Sequence, residues 1–293
     1  MRVTSHTQYL QARQTVVEAS ARLAETTQKA SHGKRIRRPS DDPTGTAEAL
    51  QTRSDRRVTA QTARNIDAGR RRLDAEEDVL AGITDALTRA KELGLSQIGA
   101  TASPQTRLVA KGEVDELLNT VIGLGNTQQA GAFLFGGFYA DQQPFDAAGN
   151  VSPTTPPVGE AQLDLGSGQR MATNHDGQSV FVDSGVLDAL RNLSAALAAN
   201  DDTQIANAVT DVDNAFDATQ SLVADVGARW VRMDHTASAL EDVDLNLEER
   251  LGAIEDADLA EVLVELSSRQ VALQSALMAT ARASELTLTN YLR

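Results

Sequence analysis

The 293-residue chain contains no cysteine, has only 3% aromatic residues, and nowhere strings together the roughly 18 apolar residues that a membrane-spanning helix needs. Without cysteine there are no disulfides, zinc–thiolate sites or thiol nucleophiles. Scarce aromatics disfavour a thick core around a buried pocket, because aromatics supply much of the large buried area in such cores. The histidines His6, His32, His175 and His235 are scattered without metal-ligand spacing or a partnered nucleophile. No catalytic residue, cofactor site or metal site is expected, and the chain does not read as an enzyme. The opening stretch MRVTSHTQYLQARQTVVEAS lacks the apolar run of about 7 to 15 residues and the small-residue cleavage site of a secretory signal, so no cleavable signal is expected. Gly33-Lys34 lacks the other elements of a phosphate loop, and Gly123 to Gln128 lacks the third glycine and preceding strand of a dinucleotide fingerprint.

What is present is helical periodicity. Starting at Ile205, steps of four and three pass through Val209, Val212, Phe216, Thr219, Val223, Val226, Trp230, Met233, Ala237, Leu240, Asp244, Leu247, Leu251 and Ile254, and only Thr219 and Asp244 are polar. Such a stripe predicts a coiled-coil seam on a helix roughly 70 Å long, whose partners must also be long helices. Its anchors are Val226, Trp230, Met233, Leu240 and Leu247, with Trp230 expected to be buried. From Pro43 to about Ile98 a second long helix is predicted by Ile66, Leu73, Leu80 and Leu87. A third starts at Ser103-Pro104 and runs to about Gly131, and Leu187, Leu190, Leu193 and Leu197 mark a short fourth.

The chain ends carry weaker seams: Leu10, Val17 and Leu23 near the start, and Leu259, Leu266, Leu273 and Leu277 near the end. With few large apolar side chains, both are expected to be disordered until something packs on them. Between the first weak seam and the first strong one lies a connector, Gly33, Lys34, Arg35, Arg38, Pro39, Asp41, Asp42 and Pro43. Gly33 reads as a helix C-cap, Pro39 bars helix at Arg38, and Asp42-Pro43 reads as N-cap and first helical position. In the middle, FLFGGFYADQQPF at 133–145, a turn-rich stretch, and the alternating AQLDLGSGQR and QSVFVD predict short strands.

Charge is uneven. Residues 1–72 carry a net +8 and the remainder −22. Arg53, Arg56, Arg57, Arg64, Arg70, Arg71 and Arg72 lie on the second helix without the aromatic stacking groups of a nucleic-acid surface, so contact with the acidic body or with neighbouring copies is the favoured reading. The rival is a coiled-coil protein that binds nucleic acid through this basic end.

These features predict a mainly α protein: a long antiparallel coiled-coil or helical-bundle rod built from both chain ends, with a small β-rich lobe inserted in the middle. The expected divisions are terminal coiled-coil segments at 1–42 and 256–293, disordered in the monomer, a helical rod at 43–132 and 183–255, and an outer lobe at 133–182.

The segments SHGKRIRRPSDDPTGTAEAL at 31–50, FLFGGFYADQQPF at 133–145, VGARWVRMD at 226–234 and DADLAEVLVELSSRQVALQSAL at 256–277 resemble the flagellin family. Pro39-Ser-Asp-Asp-Pro43 and the aromatic segment are more similar to its hook–filament junction members than to filament flagellins. That resemblance implies a structural subunit of the bacterial flagellum, exported without a cleavable signal and located outside the cell. It also implies as partners hook-associated protein 1, flagellin, further copies of itself in a ring, and a flagellar export chaperone, with no nucleic acid and no membrane. A small filament flagellin is the alternative within the family.

Overall fold

The computed structural model describes residues 5–99, 102–166 and 168–291. Its elements are α1 (Ser5–His32), α2 (Pro43–Ser96), α3 (Pro104–Gly125), β1 (Gln128–Gln129), β2 (Ala132–Phe133), β3 (Gln162–Asp164), β4 (Arg170–Ala172), α4 (Val186–Ala199), α5 (Asp202–Glu255) and α6 (Leu259–Tyr291). The mainly α class with a small β insertion in mid-chain is the observed one. The first four and last two residues of the expected terminal segments lie outside the described residues. The chain divides into two compact units, residues 58–243 and residues 1–57 with 244–293, and the division runs through α2 and α5.

Residues 58–243 hold the apolar core. On α2, Ile66, Leu73, Leu80, Ile83, Leu87 and Ala90 are all fully buried. They meet Leu190, Leu193 and Leu197 of α4, and Ile205, Val212, Val226 and Met233 of α5, in one cluster. At about 1.5 to 3 kcal/mol for each large aliphatic side chain withdrawn from water, this cluster dominates the stability of the unit. Close approach is part of the design: a Cβ on Gly94 would lie 2.5 Å from a methyl of Val209. The polar interruptions in the α5 stripe are accommodated individually. Thr219 is buried and returns its hydroxyl to the Ala215 carbonyl at 2.8 Å, while Asp244, in the other unit, receives two hydrogen bonds from Arg56 at 2.8 and 2.9 Å.

Three expectations are corrected. The third helix stops at Gly125, not near Gly131, because the Asn126 side chain leaves the helical pattern to exchange two hydrogen bonds with the Phe145 backbone. The β content is two short antiparallel hairpins, β1–β2 and β3–β4, and QSVFVD is a wide-turn π-helix, Gln178–Asp183. There Val180 and Phe181 are adjacent and both fully buried, which a strand with one buried face cannot achieve. Phe181 sits 5.1 Å, centroid to centroid, from both Phe135 and Phe145, closing the core beneath the hairpins. Finally, Trp230 is 38% exposed. Its indole N–H donates to Asp74 at 3.0 Å and the Arg70 guanidinium lies 5.6 Å from its ring centroid, so it belongs to the rim of the seam.

Candidate assembly site at the paired chain ends

In the unit formed by residues 1–57 and 244–293, α1 and α6 pack together, and the connector closes against the break between α5 and α6. Gly33 has φ +65°, a conformation glycine adopts at no steric cost, and its N–H reaches back to the Lys29 carbonyl at 2.9 Å, ending α1. Its own carbonyl accepts from Ala257 N–H at 2.9 Å, and Lys34 pairs with Asp256 as an antiparallel bridge. Arg35 N–H donates to the Glu255 carbonyl at 2.6 Å, and one arm of its guanidinium donates to the Ile254 carbonyl at 2.7 Å. The chain start is thereby tied to the far end of α5 through backbone groups that any sequence could supply, once a helix break stands opposite.

Charge reinforces the tie. The Lys34 ammonium lies 2.5 Å from Asp256, and Arg53 lies 2.8 Å from the buried Glu255. The hydrogen bond that Lys34 donates to Asp256 pushes the Lys34 pKa up. Asp41 accepts from the N–H groups of Arg38 and Arg37 at 2.8 and 3.0 Å, and those bonds hold its pKa below the usual carboxylate range. Asp42 accepts from Gly45 N–H at 2.8 Å and is bonded by Arg35 at 3.1 Å, which lowers its pKa too. Pro39 sits in the exposed turn closed by Asp41 N–H on the Arg38 carbonyl, and Pro43 opens α2. A cleft of about 520 Å³ lies between the end of α1 and the connector, lined by Glu25, Gln28, Lys29, Arg37, Arg38 and Asp41 among others. Nothing in this lining pairs a nucleophile with a base. Among the described residues no three His, Cys, Asp or Glu side chains converge as metal ligands, and no helix is long and apolar enough to cross a membrane.

The terminal seam residues occupy two kinds of place. Leu23, Leu266 and Leu273 are half-buried, whereas Leu10, Val17, Leu259 and Leu277 are about half exposed or more, together with Leu263, Val264, Val271 and Met278. Among the described residues of the two helices, only Thr26 and Val262 are buried. An apolar surface of this extent, continuous along helices, marks a contact surface. The other seam residues divide in the same way: Val226 and Met233 are buried, while Leu240 and Leu247 are half-buried.

Sequence reasoning missed Glu255 and Asp256 as partners of the connector, although an acidic pair at the break in α5 was a usable signal. It also missed a buried polar site in residues 58–243. His175 lies between Glu76, 2.7 Å from its Nδ1, and Asp225, 3.0 Å from its Nε2. Burial disfavours the charged imidazole there, but the hydrogen bond and charge of Glu76 outweigh it and raise the His175 pKa. Arg107, likewise buried, donates to the carbonyls of Gln97 and Asn200 and to Asp202, fixing the entry to α5.

The family model of the bacterial flagellin N-terminal helical region matches residues 3–140, and that of the C-terminal helical region matches 209–292, leaving 141–208 between them unmatched. Flagellin FlaB2 of Treponema pallidum is 26% identical over 265 residues, covering 89% of this chain and 88% of the relative. Flagellar hook-associated protein 3 of Salmonella typhimurium is 25% identical over 187 residues, covering 62% of this chain and 57% of the relative. The crystal structure of the flagellar junction protein FlgL from Legionella pneumophila superposes with a TM-score of 0.58 at 14% identity, over 72% of this chain and all of that one.

Proposed function

Because the chain belongs to the flagellin family, we propose that it is a non-catalytic structural subunit of the bacterial flagellum that forms the junction between hook and filament. The observation that carries this reading is the uncovered apolar row along the paired terminal helices, from Leu10 and Val17 to Leu259 and Leu277. Such a row is covered when copies stand side by side, each contributing a helix pair to its neighbours. On this reading, which the likeness to hook-associated protein 3 supports, hook-associated protein 1 lies on one side of the layer and flagellin on the other, with identical copies within it. Export proceeds through the flagellar channel with an export chaperone, and the terminal segments fold fully only on assembly. The ionic connector then fixes the turn from α1 into α2 against the break between α5 and α6.

A filament flagellin is the second reading, and one observation favours it: the match to flagellin FlaB2 spans 89% of the chain, against 62% for hook-associated protein 3. Immuno-electron microscopy of intact flagella separates the two. A band confined to the hook–filament boundary is the expected result, and label along the whole filament would replace the junction reading by the flagellin one. Four of the basic groups that a nucleic-acid reading would use, Lys34, Arg35, Arg53 and Arg56, are engaged by carboxylates of the same chain.

A further inference from the structure

The arginines of α2 fall into two sets. Arg53, Arg56 and Arg70 form ion pairs with Glu255, Asp244 and Asp234, and Arg72 donates to the Leu134 carbonyl. The other set stands outward at seven-residue intervals: Arg57, Arg64 and Arg71, followed at the same spacing by Asp78, Asp85 and Glu92, all exposed. A seven-residue repeat keeps these six on one slowly winding stripe of the helix, the geometry by which a second helix packs alongside. Among the described residues, the side chains of Arg57, Arg71, Asp78 and Asp85 make no hydrogen bond or ion pair. Arg64 bonds only Gln61, and Glu92 only Arg89, both on the same helix. One helix face is therefore basic in its first half and acidic in its second, and it is complementary to itself.

We propose that this stripe is a contact between copies of this chain, with neighbouring α2 helices parallel and offset along the axis by 21 residues. That offset sets Arg57 against Asp78, Arg64 against Asp85 and Arg71 against Glu92, and corresponds to about 31 Å at 1.5 Å per residue. With no offset every pair is of like charge. At offsets of 7 or 14 residues, like pairs oppose the favourable ones. An antiparallel arrangement centred near Asp74 also matches opposite charges, Arg71 with Asp78 among them, but it closes on two copies. A helical array of copies pointing the same way needs a contact whose two halves lie on different partners, so that it repeats. Exposed ion pairs add little affinity. The stripe acts by fixing register, which charge complementarity does well, while the apolar terminal helices supply the binding energy. The proposal rests on the assembly reading above and adds to it the partner and register of this helix face.

The absence of cysteine makes the test direct. In flagella isolated from cells expressing the full chain, the pair Arg71→Cys and Glu92→Cys is expected to give, on mild oxidation, a ladder of dimers, trimers and higher species. Arg71→Cys with Asp78→Cys, which meet in the antiparallel arrangement or at a 7-residue offset but not at 21, is expected to give none. In the chain carrying Arg71→Cys and Glu92→Cys, charge reversal by Arg57→Glu and Arg64→Glu should abolish the ladder while leaving the melting of the purified chain unchanged. A chain that is present in flagella by immuno-electron microscopy but forms no ladder with Arg71→Cys and Glu92→Cys would overturn the register and leave the assembly reading standing. Dimers alone from the Arg71→Cys and Asp78→Cys pair would overturn it in favour of the two-fold arrangement. Absence of the wild-type chain from flagella would remove the assembly reading, and this proposal with it.

Discussion

In residues 58–243, the inward positions of α2, α4 and α5 vanish into a common apolar core. In the unit made from residues 1–57 and 244–293, α1 and α6 are 28 and 33 residues long, yet among the described residues their leucines and valines stay largely exposed. The difference is one of layers. A helix in the first unit is surrounded by other helices and loops, whereas α1 and α6 have chiefly each other, and a two-helix pair can hide only one narrow stripe of each partner. Within the end unit, the polar clasp of Lys34, Arg35 and Arg53 on Glu255 and Asp256 adds to the packing of α1 on α6. The middle of the chain buries its apolar positions within itself, whereas the ends leave many of theirs open to a further partner.

Substitutions that probe each side should differ sharply. The largest effect is expected at Leu190, fully buried among α2, α4 and α5. Leu190→Ala should lower stability by about 2 to 5 kcal/mol in denaturant unfolding, as large-to-small changes in tight cores do. Trp230→Ala should cost less than a fully buried aromatic, about 1 to 2 kcal/mol, because the ring is 38% exposed and loses chiefly one hydrogen bond and one cation–π contact. A loss of 3 kcal/mol or more would return it to the buried seam.

A pH effect should also belong to the middle unit. His175 has a raised pKa in the fold, so the charged imidazole is favoured there more than in the unfolded chain. Its contribution is fully present below the unfolded value of about 6.5 and is lost as pH rises through the folded one. Melting temperature should therefore fall as pH rises from about 6.5, and His175→Gln should flatten that dependence. An unchanged slope in the variant would show that another group carries it. The smallest effect on stability is expected at the ends: Leu259→Ala, at a side chain 52% exposed, should stay within about 0.5 kcal/mol. The same variant should nonetheless impair incorporation into flagella, measured by the amount of chain recovered with them.

Local signals were legible wherever neighbouring residues decide the outcome. Asp42-Pro43 starts α2 as its cap and first residue, Asp201 caps α5 through the N–H groups of Thr203 and Gln204, and the leucines of α4 are buried as their spacing implies. The misread positions depend on groups far away in sequence. Gln178–Asp183 alternates like a strand, but it is bent into a π-helix with Asp176 held by Gly159 and Ser179 N–H groups, and Phe181 wedged between two other rings. His175 gave no sign of its role because Glu76 lies 99 positions earlier. In the candidate site, the connector was visible from its proline, glycine and aspartate pattern. The groups it grips lie far along the chain, Glu255 202 positions from Arg53 and Asp256 222 from Lys34.

Amide hydrogen exchange on the full chain, free in dilute solution and again in assembled flagella, tests the central claim most directly. Residues 5–32 and 259–291 are predicted to exchange fast in the free chain and slowly after assembly, with the helices between Ile66 and Leu240 protected in both. Terminal helices as strongly protected in the free chain as that core would contradict the coupling of their folding to assembly.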